Sequence, residues 1–164
     1  MPIDFFQGAC QEIQLNNCLF GICDDQNGLK AYTSLTYNEK WIAKVRNENN
    51  KEIVFTAIDN CISIIDENGN MVKRCDGMLT YFENVVFVEL KDKNADWISQ
   101  AVHQLETTIK YFLNTPENIL KFTHKRAFAC NRQHPRFNYS NVARSQRFFS
   151  QYKVRLNIVA TIEI

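Results

Sequence analysis

The stretch 75–93 constrains the fold of this chain more than any other part of it. Two short, largely apolar segments, 75–81 and the valine-rich 85–91, flank a turn centred on Phe82 and Glu83. Short apolar segments joined by so few residues are typical of an antiparallel β-hairpin. We therefore expect a pair of adjacent strands in the middle of the chain.

Three charged residues, Asp76, Glu89 and Lys91, interrupt these apolar segments, where a charge is normally unfavourable. Because side chains alternate along a strand, Glu89 and Lys91 share one face, and Val86, Val88 and Leu90 share the other. A turn symmetric about 82–83 also places Asp76 opposite Glu89, with the two Cα atoms about 5 Å apart. The sequence thus predicts two adjacent carboxylates and a lysine, in a register that a one-residue slip would destroy.

Two adjacent carboxylates repel each other and raise each other's pKa unless a cation lies between them. Mg²⁺, or Mn²⁺ in its place, suits such a pair because it binds one or two carboxylates together with waters and phosphate oxygens. A bound ion of this kind acidifies a water and neutralises charge on a phosphate, while a nearby ammonium stabilises the transition state. The chemistry that we expect is phosphodiester hydrolysis.

The spacing also carries a family resemblance. Asp76, twelve intervening residues, Glu89-Leu90-Lys91 and a following helix resemble the active-site signature of the restriction-endonuclease-like, or PD-(D/E)XK, phosphodiesterase superfamily. The resemblance covers 53–113 and implies that Asp76 and Glu89 bind the metal, that the Leu90 carbonyl adds a ligand and that Lys91 assists the attacking water. Cys75 stands where the family has proline. The alternatives are ordinary edge-strand charges or a family member that only binds.

A helix is predicted over 96–113, ending at Asn114-Thr115-Pro116. Its apolar positions form a core stripe, and a separate polar row contains Gln100 and Gln104. The resemblance implies a polar residue of this helix near the scissile phosphate, with Gln104 the first candidate and Gln100 the second. A surface polar row is the alternative.

Asp59 is a further candidate ligand. If Asn68-Gly69 forms a two-residue turn, Asp59 shares a face with Asp76 and lies within diagonal reach of it. The alternative is that Asp59 caps a turn.

The segment 118–162 contains nine lysines and arginines and no acidic residue, whereas the preceding 117 residues contain 17 acidic and 10 basic ones. An acid-free basic segment is typical of a surface that binds a phosphate backbone. The alternative is a solvated face that compensates the acidic first half across the fold or a subunit interface. The candidate nucleic-acid-binding residues are Lys125, Arg126, Arg132, Arg136, Arg144 and Arg147.

The other elements predict an α/β (α+β) fold. The N-terminal part is expected to be an antiparallel meander, with strands at 20–23 and 29–35 around Asn27-Gly28 and a strand pair at 41–45 and 53–65. A strand at 125–131, a helix capped by Ser140 and a closing strand at 154–164 follow. The expected core is a mixed β-sheet flanked by helices, like that of restriction endonucleases.

Composition sets wider limits. With 164 residues and 45% hydrophobic content, the chain is expected to be one domain, 1–164. No apolar run approaches the ~20 residues of a membrane span, and the N-terminus has no basic region, so we expect a cytoplasmic protein. The six cysteines are expected to be mostly buried thiols, with a zinc site formed by Cys18, Cys23, Cys130 and His134 as the alternative.

Together these observations predict a metal-dependent nuclease that acts on nucleic acid, with DNA as the first candidate. It would work alone, as a homodimer or as a subunit of a larger system. The alternative is a catalytically inactive nucleic-acid-binding or protein-interaction module of the same fold.

Overall fold

The computed structural model describes residues 2–134 and 141–164. Its larger sheet has five strands in the order β4-β5-β6-β7-β8. β5 is antiparallel to both of its neighbours, β4 and β6, whereas β6, β7 and β8 are parallel, so the sheet is mixed. Its strands are β4 (Val54–Ala57), β5 (Gly77–Tyr81), β6 (Asn84–Lys91), β7 (His124–Asn131) and β8 (Arg155–Asn157).

The smaller sheet has four strands in the order β2-β1-β3-β9. β1 is antiparallel to both of its neighbours, β2 and β3, and β9 pairs with β3 in parallel. The strands are β1 (Leu19–Cys23), β2 (Tyr32–Ser34), β3 (Ala43–Arg46) and β9 (Thr161–Glu163). The predicted N-terminal antiparallel strands therefore exist, but a strand from the end of the chain extends their sheet.

In the described residues three α-helices accompany the sheets, together with a short 3-10 helix at Gly8–Cys10. The α-helices are α1 (Ile98–Leu113), α2 (Pro116–Lys121) and α3 (Val142–Tyr152). α1 buries one face, which includes Leu105, Ile109 and Phe112, as its apolar stripe predicts. Pro116 at the first turn of α2 separates the two helices, since proline lacks the amide that would continue α1.

The larger sheet lies between two apolar cores. One core contains Phe87 and the buried face of α1, and the other contains Val86 and Val88 together with residues of the smaller sheet. β6 is therefore covered on both faces, which explains its continuous apolar sequence. The fold is α+β, with helices on one side of the larger sheet and the smaller sheet on the other.

Several predicted elements differ from the observed ones. The segments 41–45 and 53–65 do not pair with each other, because β3 joins the smaller sheet and β4 the larger one. The segment 154–164 forms two strands in different sheets instead of one. These choices depend on long-range partners that the local alternation does not encode. The predicted cap Ser140 lies outside the described residues.

Four of the six cysteines are free thiols, as expected, and the other two are not. Cys10 and Cys61, 51 positions apart, form a disulfide that joins the N-terminal segment to the turn after β4. Cys23, Cys75 and Cys130 are buried free thiols, and Cys18 is exposed. Within the described residues no helix has the length and apolar character needed to cross a membrane.

Candidate functional site

The β5–β6 hairpin brings the two candidate carboxylates together. Gly77 pairs with Val88, so the next position outward aligns Asp76 with Glu89, which is the predicted register. Asp76 is then held against β6, because its Oδ2 accepts a hydrogen bond of 2.6 Å from the backbone N–H of Leu90. We call Asp76, Glu89 and Lys91 the carboxylate site.

Lys91 lies on the same face of β6 as Glu89 and links the strand to α1. Its Nζ lies 3.1 Å from Oε1 of Glu89 and donates a hydrogen bond of 2.7 Å to Oε1 of Gln104. The Gln104 amide in turn donates to the backbone carbonyl of Arg74, at 3.0 Å. These contacts hold the ammonium between the carboxylate and the helix. The predicted position of Gln104 next to the site is therefore observed.

The two carboxylates are buried, with Asp76 7% and Glu89 1% exposed. Burial, and next the charge of Glu89, raise the pKa of Asp76 well above its ordinary range. Burial also raises the pKa of Glu89 to about 8, although the Lys91 ammonium opposes this. Oε2 of Glu89 accepts no hydrogen bond from an N–H or O–H donor of residues 2–134 and 141–164, although the carboxyl groups of Glu89 and Asp76 lie close enough to interact. The pair is therefore short of positive charge.

Two further aspartates influence the pKa values of this pair. Asp59 forms an ion pair with Arg74, with Oδ1 2.7 Å from the guanidinium, and its charge also raises the pKa of both site carboxyls. Asp24, which follows β1 in the smaller sheet, likewise raises the pKa of Asp76. The turn that the sequence suggested for Asp59 is not the observed one, because the backbone N–H of Asp59 bonds to the carbonyl of Cys75.

The sequence did not indicate Arg74, Thr108 or Asp24 as parts of this region. Thr108 on α1 accepts a hydrogen bond of 2.8 Å from the backbone N–H of Cys75 and so anchors the chain just before Asp76. It belongs to the polar row of α1, which was a usable signal. Asp24 gave no signal, because it follows a strand of the other sheet and acts on Asp76 only through its charge.

An open cavity of about 280 Å³ adjoins the carboxylate site, and Lys91, Arg74 and Asp59 line it. Gln100 and Gln104 line it too, and Gln100 accepts a hydrogen bond of 3.1 Å from Lys93. Gln104 rather than Gln100 thus contacts the site lysine. A small ligand group can reach the ammonium from this side.

The geometry is compatible with a hard divalent cation. In residues 2–134 and 141–164, no three histidine, cysteine, aspartate or glutamate side chains lie close enough together to form a metal site. The alternative zinc site is therefore not formed there. Mg²⁺ does not require three, since it is usually held by one or two carboxylates with waters and phosphate oxygens. Such a cation would give Oε2 of Glu89 a partner and would lower the raised pKa of both carboxyls.

The candidate nucleic-acid-binding residues lie in three places. Lys125 and Arg126 begin β7, opposite Val85 and Val86, at the other end of the sheet from the carboxylate site. Arg132 follows β7 and forms an ion pair with Asp92.

Arg144 and Arg147 lie on α3, beside a cavity that α1 also lines. Arg136 lies outside the described residues. The predicted basic segment is therefore distributed around the fold.

Comparison of the chain with protein-family models, with curated proteins and with solved structures found no match to any of them.

Proposed function

We propose that the protein is a divalent-metal-dependent nuclease that hydrolyses phosphodiester bonds of nucleic acid, with DNA as the first candidate substrate. The observation that carries the proposal is the buried pair Asp76 and Glu89, aligned by the hairpin register, with Lys91 on the same face. A fold seldom buries two carboxylates beside each other without a compensating cation, because each disfavours the ionisation of the other.

Mg²⁺ or Mn²⁺ would be held by the side chains of Asp76 and Glu89 and by the carbonyl of Leu90, the ligand set that the family resemblance implies. When bound, such an ion acidifies a water and neutralises charge on the scissile phosphate. The backbone N–H of Leu90 keeps one oxygen of Asp76 turned toward β6. The hairpin thereby positions the donor atoms before any ligand arrives.

Lys91 would act on the attacking water and on the phosphate, and Gln104 would position Lys91. The ammonium lies between Oε1 of Glu89 and Oε1 of Gln104, so its position is set by contacts on both sides. A fixed cation beside the reacting phosphate stabilises the charge that develops in the transition state. Gln104 serves as a positioning residue for this lysine, and the carbonyl of Arg74 orients its amide.

The second candidate function is a catalytically inactive nucleic-acid-binding or protein-interaction module of the same fold, alone, as a homodimer or within a larger system. Two observations favour it. Lys91 already compensates Glu89 without a metal, and the basic residues are spread over several faces. Nucleic acid remains the proposed partner because basic side chains interact with any phosphate backbone.

Location in the cytoplasm is also part of this proposal. The disulfide between Cys10 and Cys61 argues against it, because disulfides are rare in cytosolic proteins. Cell fractionation, with thiol trapping of the two cysteines, tests this directly.

The test of the activity is a cleavage assay on labelled single- and double-stranded DNA and RNA, with Mg²⁺, with Mn²⁺ and with a chelator. We expect metal-dependent cleavage and a loss of about 10²–10³-fold or more in Asp76→Asn, Glu89→Gln and Lys91→Ala. Lys93→Ala is the matched control, because Lys93 is an exposed lysine two positions further along the chain. Activity close to the wild type in any two site variants would refute the assignment.

A further inference from the structure

A second charged cavity, of about 570 Å³, opens at the end of the larger sheet opposite the carboxylate site. Four cationic residues line it: Lys125 and Arg126 of β7, Lys153 just after α3, and Arg155 of β8. Lys125 is paired with Val85, four residues before Glu89 on β6, so about 13 Å of strand separates the two regions. We call this cavity the basic pocket.

In the part of the chain that the structure describes, the four cations of the basic pocket form no ion pair with an acidic side chain. The ion pairs of residues 2–134 and 141–164 involve other cations, namely Arg46, Arg74, Lys91 and Arg132. An acid that lines the pocket, Glu163, has its carboxylate 3.5 Å from the guanidinium of Arg46. The pocket therefore holds a net positive charge that the fold does not neutralise.

Neutral groups hold these cations in place. The guanidinium of Arg126 donates to the carbonyl of Glu163 at 2.8 Å and to the hydroxyl of Tyr81 at 3.0 Å. Lys125 donates to the carbonyl of Phe122 at 2.9 Å.

Lys153 and Arg155 both lie near the ring of Phe149, at 5.7 and 5.9 Å from its centroid. These contacts position the cations without removing their charge.

Four like charges around a concave surface repel one another, and an anion with several charges removes that repulsion. Phosphate oxygens form charge-assisted hydrogen bonds with lysine and arginine. The volume falls in the range of small-molecule sites, and the cations converge on one cavity instead of following an extended groove. Phe149, 42% exposed beside them, offers a ring surface for a base.

We propose that the basic pocket binds a multiply phosphorylated small molecule of the nucleoside triphosphate class, with Lys125, Arg126, Lys153 and Arg155 as its phosphate contacts. This site is distinct from the carboxylate site and requires no metal there.

Calorimetric titration of the full chain with ATP, in the presence of a chelator, tests the proposal. We expect saturable binding of one ATP per chain and of tripolyphosphate, and a loss of affinity of about tenfold or more in the double variant Lys153→Gln, Arg155→Gln. Both residues are exposed, so the variant should fold normally, which a thermal melt checks. The control, Lys30→Gln with Lys110→Gln, removes two exposed charges outside the pocket and should bind as the wild type does.

Four results would overturn the proposal: no saturable binding of ATP or tripolyphosphate, an equal loss in the control, inorganic phosphate binding as tightly as ATP, or an oligonucleotide that displaces ATP and binds more tightly. The third would indicate an adventitious ion only, and the fourth a nucleic-acid strand as the occupant. Asp76→Asn should leave ATP binding unchanged. Failure of the proposed cleavage and failure of this site are therefore separate results.

Discussion

Replacing Glu89 by glutamine should make the metal-free protein more stable at neutral pH. Glu89 is 1% exposed, and its pKa is raised from the ordinary 4.5 to about 8. A carboxyl whose pKa is higher in the folded state stabilises the fold when protonated, and that contribution is lost as the pH rises toward 8. Glutamine keeps the shape of the side chain and cannot ionise.

The size of the effect follows from this pKa. Between pH 5 and pH 7 the unfolded chain has released the proton and the folded protein largely retains it, so the free energy of unfolding falls by about 1.4 kcal/mol per pH unit. The difference between Glu89→Gln and the wild type should therefore grow by about 3 kcal/mol over this interval. For a chain of this length that corresponds to about 6–12 °C in melting temperature.

The assay is urea unfolding, followed by circular dichroism at pH 5, 6, 7 and 8 in a chelator. Glu83→Gln is the matched control, because it removes the same charge from an exposed position in the turn of the same hairpin. We expect the wild type and the control to lose stability in parallel as the pH rises, and Glu89→Gln to lose less. Equal slopes in all three proteins would refute the argument that burial controls this carboxyl.

Bound metal should reverse the order of stability of the wild type and Glu89→Gln. An ion that binds only the folded protein stabilises it by about 3 kcal/mol at a hundredfold excess over its Kd. Saturating Mg²⁺ or Mn²⁺ should therefore raise the melting temperature of the wild type, increasingly so at higher pH because the ligands must be deprotonated. Glu89→Gln should respond little. Equal shifts in the two proteins would mean that the ion binds elsewhere.

Three further predictions concern the surroundings of the site. Gln104→Leu should reduce cleavage while leaving the fold intact, because the site lysine loses the acceptor 2.7 Å from its Nζ; Gln104→Glu, which keeps an acceptor, should retain more activity. Reduction of the disulfide should lower the free energy of unfolding by up to about 4 kcal/mol, and so should the double variant Cys10→Ser, Cys61→Ser. A reductant should not change the thermal melt of the double variant. Gly77→Ala should destabilise the protein by about 1–3 kcal/mol in urea unfolding, because its Cβ would lie 2.5 Å from the buried ring of Phe55.

Local sequence patterns were enough to predict the central hairpin and the faces of its strands. The turn at 82–83 is short, so its symmetry fixed the register, and the alternation of side chains placed Glu89 with Lys91. The helix after the hairpin was predicted from its apolar stripe, and it begins only two residues later than expected, at Ile98. These features depend on neighbours within a few residues of one another, which a local pattern records.

The pairing and packing of distant segments follow only from the tertiary structure. The basic segment is continuous in the sequence, yet β7 runs along the sheet and separates Lys125 from Arg132, seven residues later, by about 23 Å. The approach of Asp24 to Asp76 and the disulfide between Cys10 and Cys61 depend on the contact of two sheets and on an N-terminal segment packed against the turn after β4. Any apolar strand could cover the faces that these pairings bury. Only the packing of the complete cores therefore determines which pairing forms.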